Sequence, residues 1–576
     1  MKSQRFICWQ FVVALLLTLW IPSLMAQSAG TGALTGTVTD STGAVVPGVT
    51  VTATNTQTGL ERTTTTVEDG SYRFTLLPPG TYRVRFTNAG FKTAEVPSVT
   101  INVTETPVLN RVLEVGGQAE VVEVQAQAEV LQTATSTLGT TVDNRSINNL
   151  PLTSRNYTQI LGLSAGVSAD LNNGAAFGRG TQNVSVNGSR PDQNNYQMDG
   201  VSIVNAAAGN SSAQDFGIYT GLGIPNPDSI QEFKIQTSTY DASYGRNPGA
   251  NVNLVTKTGS NEFHGTLFEF FRNEALNAND FFYNRNRLPT QAKKQVLKQN
   301  QFGGSFGGPV KKDKLFFFGS YQGTRQRNGV AAEGTSNAFL YPIPAGDRNA
   351  PGFQAALGAA LCPANRGFNF SYLALSGPMQ VACDGSNINT VALNILRVKN
   401  ADGSYYIPGS TNGGIQNVLY SQPAKYTDNQ YVGNVDLLAT SKHTLAGRFF
   451  YTKNPREQTV GGGQLPGWNN NQVYSNVFSV VKLTSVLTPN FINEPRVSFH
   501  RNVASQSDTL PYTNQQIGLK GMIPEQTLPP VILIFGAFNI GGTLGPSNSP
   551  DTQYQVADQI SWVKGKHTMR AGFEAE

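Results

Sequence analysis

The sequence predicts a mainly β protein in three parts: an N-terminal β-sandwich, a mixed α+β segment, and an incomplete antiparallel transmembrane β-barrel. Three observations carry that prediction. Charged residues are 14% of the chain and hydrophobic residues 39%, whereas ordinary soluble domains carry roughly 25% charge. This balance excludes a charge-driven disordered chain and is too weakly apolar for a helical membrane bundle. Beyond the N-terminus no stretch approaches the ~18 apolar residues of a spanning helix, so any membrane crossing must be made by strands closed into a barrel. From Phe263 onward, aromatic-rich alternating segments are joined by connections that are by turns very short and very long. The net charge of +5 is too dilute over 576 residues to point to nucleic acid.

Residues 1–26 read as an export signal. Lys2 and Arg5 precede an apolar run from Phe11 to Trp20, Pro22 breaks it, and Ala26 offers a small residue before Gln27. Cys8 lies ahead of that run rather than at its end. Removing the signal leaves Cys362 and Cys383, an even pair in an exported chain; a disulfide stapling a loop is favoured over two unpaired thiols.

Residues 30–115 form the sandwich. Val49, Val51 and Ala53 alternate with Thr50, Thr52 and Thr54, and Tyr82, Val84 and Phe86 with Arg83 and Arg85. Asp69-Gly70 and Pro78-Pro79-Gly80 supply turns between such runs. The pattern Gly36-Thr37-Val38-Thr39-Asp40, Gly43, Pro47-Gly48-Val49, Asp69-Gly70-Ser71-Tyr72 and Pro79-Gly80-Thr81-Tyr82 resembles the carboxypeptidase regulatory-like domain, a carbohydrate-binding-like fold. That name does not make an enzyme. A zinc peptidase needs His and Glu ligands at fixed spacing plus a general base. The four histidines, His264, His443, His500 and His567, stand apart, and none lies in the sandwich. No metal or other cofactor is expected.

Residues 116–139 read as a linker holding an extended, β-prone heptad, Glu120-Val121-Val122-Glu123-Val124-Gln125-Ala126. Such a segment can add a strand to a partner's sheet edge, although a plain linker has the same composition. Residues 140–259 follow. Ser146 to Leu163 reads as two short helical pieces interrupted by Pro151. Then come Tyr196-Gln197-Met198-Asp199-Gly200-Val201, Ser229-Ile230-Gln231-Glu232-Phe233, Tyr244-Gly245 and Asn251-Val252-Asn253-Leu254-Val255-Thr256-Lys257-Thr258-Gly259. This ordered set resembles the plug domain of TonB-dependent outer-membrane receptors, with Asp199, Gly200, Glu232, Tyr244, Gly245, Lys257 and Gly259 as its landmarks.

Residues 260–576 are the barrel segment. Nine candidate strands lie at 263–272, 299–309, 315–325, 428–438, 443–452, 473–486, 492–502, 552–563 and 567–576. Very short connections between them alternate with long ones at 273–298, 326–427, 453–472 and 503–551, the arrangement of an outer-membrane barrel with tight periplasmic turns and long outer loops. The faces agree: Tyr554, Val556, Ile560 and Trp562 alternate with Gln553, Gln555, Gln559 and Ser561. Asp558 falls on the apolar side, and 473–486 alternates poorly. Gly303-Gly304-Ser305-Phe306-Gly307 matches a hydrolase G-x-S-x-G, but its flanks continue as strand where that motif needs a strand-to-helix elbow. Its glycines are expected to allow bending or close contact with the plug. The stretch from Gln301 to Tyr321 resembles the early hairpin of Oar-like TonB-dependent transporters. An even strand count is expected of a bacterial barrel, and 22 strands at about 35 residues each need roughly 770 residues. About 310 follow the plug, so the sequence reads as a truncated barrel that closes no pore alone.

The resemblance implies an outer-membrane transporter of a Gram-negative bacterium, taking up a bulky solute such as a siderophore, carbohydrate or peptide. Its implied partners are TonB with the inner-membrane energising complex, outer-membrane lipid and an extracellular ligand. The TonB box would be Glu120 to Ala126. The alternative is a surface protein for adhesion or carbohydrate binding whose barrel is an anchor.

Overall fold

The computed structural model describes residues 30–116, 121–123, 137–170, 176–180, 183–204, 223–240, 243–245, 248–362, 372–374, 377–461, 463–521, 527–534, 536–542, 546–565 and 567–576. The export signal, and Glu120 and Val124 to Ala126 of the heptad, lie outside the described residues.

The first unit is a two-sheet sandwich. Its strands are β1 (Gly32–Asp40), β2 (Thr50–Asn55), β3 (Glu61–Thr65), β4 (Ser71–Leu77), β5 (Gly80–Thr87), β6 (Thr93–Ile101), β7 (Arg111–Leu113) and β8 (Val121–Glu123). The sheets run β4–β1–β7 and β3–β2–β5–β6–β8. Period-2 alternation does what it should: Val49, Val51, Ala53, Val84 and Phe86 are buried against Leu34, Val38 and Phe74 of the opposite sheet. At Asp69-Gly70 the glycine takes a left-handed φ of 72°, and Asp69 accepts from the Ser71 amide and hydroxyl.

The second unit carries β9 (Leu138–Asp143), α1 (Asn144–Asn149), a 3-10 turn (Tyr157–Leu163), β10 (Val167–Ala169), β11 (Val184–Val186), β12 (Asn195–Met198), β13 (Val201–Ser202), β14 (Ile230–Ser238) and β15 (Asn251–Thr256). Asp143 caps α1 by accepting from the Ser146 amide at 2.9 Å. Pro151 falls between the two helical pieces, as expected. The central sheet runs β13–β12–β15–β14–β9.

The third unit is a nine-stranded antiparallel wall. Its strands are β16 (His264–Asn273), β17 (Leu297–Lys311), β18 (Leu315–Asn328), β23 (Ala424–Leu438), β24 (His443–Gln458), β25 (Asn469–Thr488), β26 (Phe491–Thr509), β29 (Ser547–Lys564) and β30 (His567–Ala575), hydrogen-bonded in that order. All nine expected strands are present. They run further toward the long connections than the sequence pattern indicated, because the ladders continue where lipid-facing alternation stops: β25 pairs from Asn469 onward with the end of β26. Nor are the long connections featureless. They hold α2 (Phe281–Asn286), a β19 (Thr335–Leu340) and β22 (Gln416–Ser421) hairpin, α3 (Phe353–Leu361), β20 (Tyr372–Ala374) paired with β21 (Gly377–Met379), α4 (Thr390–Arg397), α5 (Asn514–Ile517), and β27 (Ile532–Ile534) paired with β28 (Phe538–Ile540). Cys362 and Cys383 are bonded, with Cα atoms 4.9 Å apart, tying the end of α3 to the chain before α4.

On β29, Tyr554, Val556, Ile560 and Trp562 are exposed while Gln553, Gln555 and Ser561 are buried. On β24, Phe449 is 44% exposed and Phe450 1%. Asp558 is half-buried and accepts from Asn493 at 2.7 Å. The Gly303–Gly307 run lies inside β17 and pairs on both sides. Where a side chain would begin, these glycines are covered by the neighbouring strands. A Cβ on Gly303 would stand 2.1 Å from the Tyr321 carbonyl, and one on Gly308 would meet the Phe263 ring. Among the described residues the edge strands β16 and β30 do not pair, so the wall is not closed.

Candidate functional site: an inner unit held between wall and sandwich

The second unit fills the concave side of the wall. Ile147, Tyr157, Phe233, Ile235 and Leu254 share one apolar core with the wall residues Phe318, Val432, Phe450, Phe478 and Val480. Around that core the contacts are polar. Arg155 pairs with Asp228, donates to Gln322 at 2.7 Å and stacks over Phe268 with 4.2 Å to the ring centre. Arg179 donates to Asp428 of β23 at 2.7 Å, and Asp428 also accepts from Thr452 and Gln430. Gln326 of β18 donates to the Ala176 carbonyl and accepts from the Gly178 amide. Buried charges need partners of this kind, and each one here has them.

Asp199 and Gly200 form the turn from β12 to β13, with φ of 52° and 89°. The Asp199 carboxylate accepts from the Thr256 amide at 3.0 Å and hydroxyl at 2.8 Å, fastening that turn to the end of β15. Asn434 of the wall donates to the same Thr256 hydroxyl and to the Lys257 carbonyl. Two residues on, a Cβ at Gly259 would lie 2.4 Å from the Phe317 carbonyl oxygen and 2.8 Å from that of Gly308, so only glycine lets the chain pass against β17 and β18. Asp199, Gly200, Lys257 and Gly259 therefore meet at one corner. Tyr244 is buried and edge-on to Tyr240 elsewhere in the unit, and a side chain at Gly245 would enter open space.

Glu232 faces the sandwich instead. Alternate residues of β14 divide between two neighbours: Phe233 and Ile235 enter the core, while Glu232, Lys234 and Gln236 meet the sandwich turn after β6. Glu232 accepts from the Val103 amide, Lys234 pairs with Glu105 at 3.4 Å, and Thr141 of β9 donates to Glu105. Burial pushes the Glu232 carboxyl up to about 7, with Glu105 and Asp143 adding to the rise and the Val103 amide and Lys234 opposing it.

The sandwich also touches the wall at its tight-turn end. The Asn261 amide donates to the Gln57 carbonyl, and Ser561 of β29 and Thr75 of β4 bring their hydroxyls to 3.0 Å. A cavity of about 680 Å³ lies between the three units, lined by Thr58, Pro79, Asp199, Lys257, Arg448 and Lys482 among others. Sequence reasoning missed Arg155, Arg179 and Asp428; the only signal was a charge within otherwise uncharged stretches.

Residues 255–576, more than half of the chain, match the outer membrane beta barrel domain family, and residues 33–114 match the carboxypeptidase regulatory-like domain. The chain belongs to the outer-membrane β-barrel family. Its wall accordingly lies in the outer membrane, the exposed aromatic and aliphatic residues facing lipid and the tight turns facing the periplasm. A curated relative, the TonB-dependent transporter Oar of Myxococcus xanthus, is 30% identical over 302 residues, covering 50% of this chain and 27% of that protein. Among solved structures, the outer membrane transporter YddB from Escherichia coli aligns with 13% identity and a TM-score of 0.45 over 76% of this chain and 47% of that one. A mutant of the ferric enterobactin receptor PfeA from Pseudomonas aeruginosa aligns with 11% identity and a TM-score of 0.40, over 76% and 48%. The chain thus spans about a quarter of the curated relative's length.

Proposed function

We propose that this chain carries the plug, the energy-coupling tether and the first wall strands of a TonB-dependent transporter that takes up a bulky solute, and that it is not an enzyme. The observation that carries this reading is the inner unit itself, a folded body seated against the inner face of an outer-membrane wall and held there by an apolar core and buried polar contacts. Passage then requires that this body move. No nucleotide is available at the outer membrane, so the work must arrive mechanically, through a segment that a periplasmic partner can grip. Glu120 to Ala126 fits that need, lying between sandwich and plug. Its central residues Val121–Glu123 already run as a parallel edge strand on β6, Thr93 opposite Val121, so their backbone is competent to add to a sheet. TonB would take the place of β6 by the same strand addition.

The test is deletion of residues 120–126 in cells expressing the protein. Uptake of the cognate solute is expected to be lost while its binding at the cell surface is retained. Uptake that survives the deletion refutes this assignment of the box.

A further inference from the structure

The buried seam between the sandwich and β14 has no part in holding the plug to the wall. It consists of three side chains at strand spacing, Glu232, Lys234 and Gln236, each 5% exposed or less. They meet a single turn, Asn102 to Thr106, whose Thr104 takes a left-handed φ of 54°. The match is residue by residue: the Glu232 carboxylate with the Val103 amide, the Gln236 amide with the Thr104 hydroxyl at 3.5 Å, and the Lys234 ammonium with Glu105. We propose that this seam is a proton-dependent latch, joining sandwich and plug into one body in acid and loosening as the pH rises through neutrality.

The argument starts from what faces Glu232. The sandwich turn presents the Val103 amide and Glu105, β9 presents Asp143, and β14 itself presents Lys234. The single ammonium is already engaged by Glu105 at 3.4 Å, and Asp143 is exposed at the start of α1. An ionised Glu232 is thus enclosed with one amide donor and two like charges in view, whereas a protonated one loses little there. Undocking returns it to water, where a carboxyl has its ordinary value near 4.5. Because the docked carboxyl holds its proton up to about 7, docking takes up a proton. The seam is therefore tightest below the ordinary carboxyl value, weakens as pH rises from there toward 7, and changes little above. Lys234 is pushed down by the same burial and held up by Glu105.

Nitroxide labels on Ser41→Cys of the sandwich and Lys312→Cys of a periplasmic turn, both exposed, read docking as a distance distribution in the reconstituted protein. One narrow distance is expected at pH 5. By pH 8 a second, broad population should grow, the docked-to-undocked ratio falling about 70-fold, the ratio expected when one carboxyl moves between the two values given. Glu232→Gln keeps an oxygen for the Val103 amide and should stay docked at both pH values. Glu105→Gln removes one of the like charges and frees Lys234 for Glu232, so it should weaken docking at pH 5 and shrink the pH dependence. A wild-type ratio unchanged between pH 5 and 8, or a Glu232→Gln protein of native strand content that follows the wild type, overturns the latch. Neither outcome depends on solute uptake, so failure of the transport reading leaves this measurement intact.

Discussion

Gly259 shows how a single residue decides whether plug and wall can share one chain. The backbone carbonyls of Phe317 and Gly308 stand where a side chain would begin, and backbone in a paired strand cannot step aside. Gly259→Val should therefore cost about 1–3 kcal/mol through overpacking, read as a lower urea midpoint in lipid vesicles. Gly245→Ala, with open space around the new methyl, should leave the midpoint where it was. Both glycines belong to the pattern that marked this region in the sequence, yet only one has a steric reason in the fold. Legibility at this scale followed local chemistry. Asp199-Gly200 could be read because the turn closes within the dipeptide. Glu232 could be noticed but not understood, since its partners Val103 and Glu105 come from another unit more than a hundred positions away. Arg155 was silent for a like reason: what holds it, Asp228 of its own unit and Gln322 of the wall, is far away in sequence.

The strands were the most legible elements, and the reason is lipid. A strand with hydrocarbon on one side and a packed polar interior on the other must alternate, so Phe449 and Phe450, adjacent in sequence, have opposite fates. Phe449 projects from the middle of β24, opposite Gly433 and Ser479. Phe449→Arg should destabilise the wall by about 2–4 kcal/mol, the cost of a cation near the bilayer midplane, and less if the guanidinium reaches the headgroups. Unfolding in vesicles of defined thickness checks this, and thinner bilayers should soften the effect. Past the lipid boundary the constraint lapses: β25 and β26 go on pairing toward the outer end without an apolar face to announce them. Likewise the β19–β22 hairpin and α4 were unreadable inside a long connection. Their core of Leu340, Val418, Tyr406 and Tyr512 joins segments from two separate loops, which no local periodicity reveals.

At the scale of the whole molecule, the plug is held from two sides, by the wall and by the sandwich. The plug is fastened to the wall by Arg155, Arg179 and Asn434, and to the sandwich by the Glu232 seam. The sandwich in turn rests on the wall where Thr75 meets Ser561. On the transport reading proposed above, a pull on the proposed box opens the lumen only if the Thr75–Ser561 contact gives way. Replacing it by a covalent bond tests the order of events. Thr75 and Ser561 are both buried with their oxygens in hydrogen-bond contact, so Thr75→Cys with Ser561→Cys should bridge without moving either strand far. The bridged protein is expected to bind solute normally at the surface and to take up none. Each single-cysteine variant should transport as the wild type does, and reduction of the bridge should restore uptake. Undiminished uptake with the bridge intact would mean that the plug rearranges inside the wall beneath a stationary sandwich. In that case the 680 Å³ cavity beside Lys257 and Arg448 would be the space into which it yields.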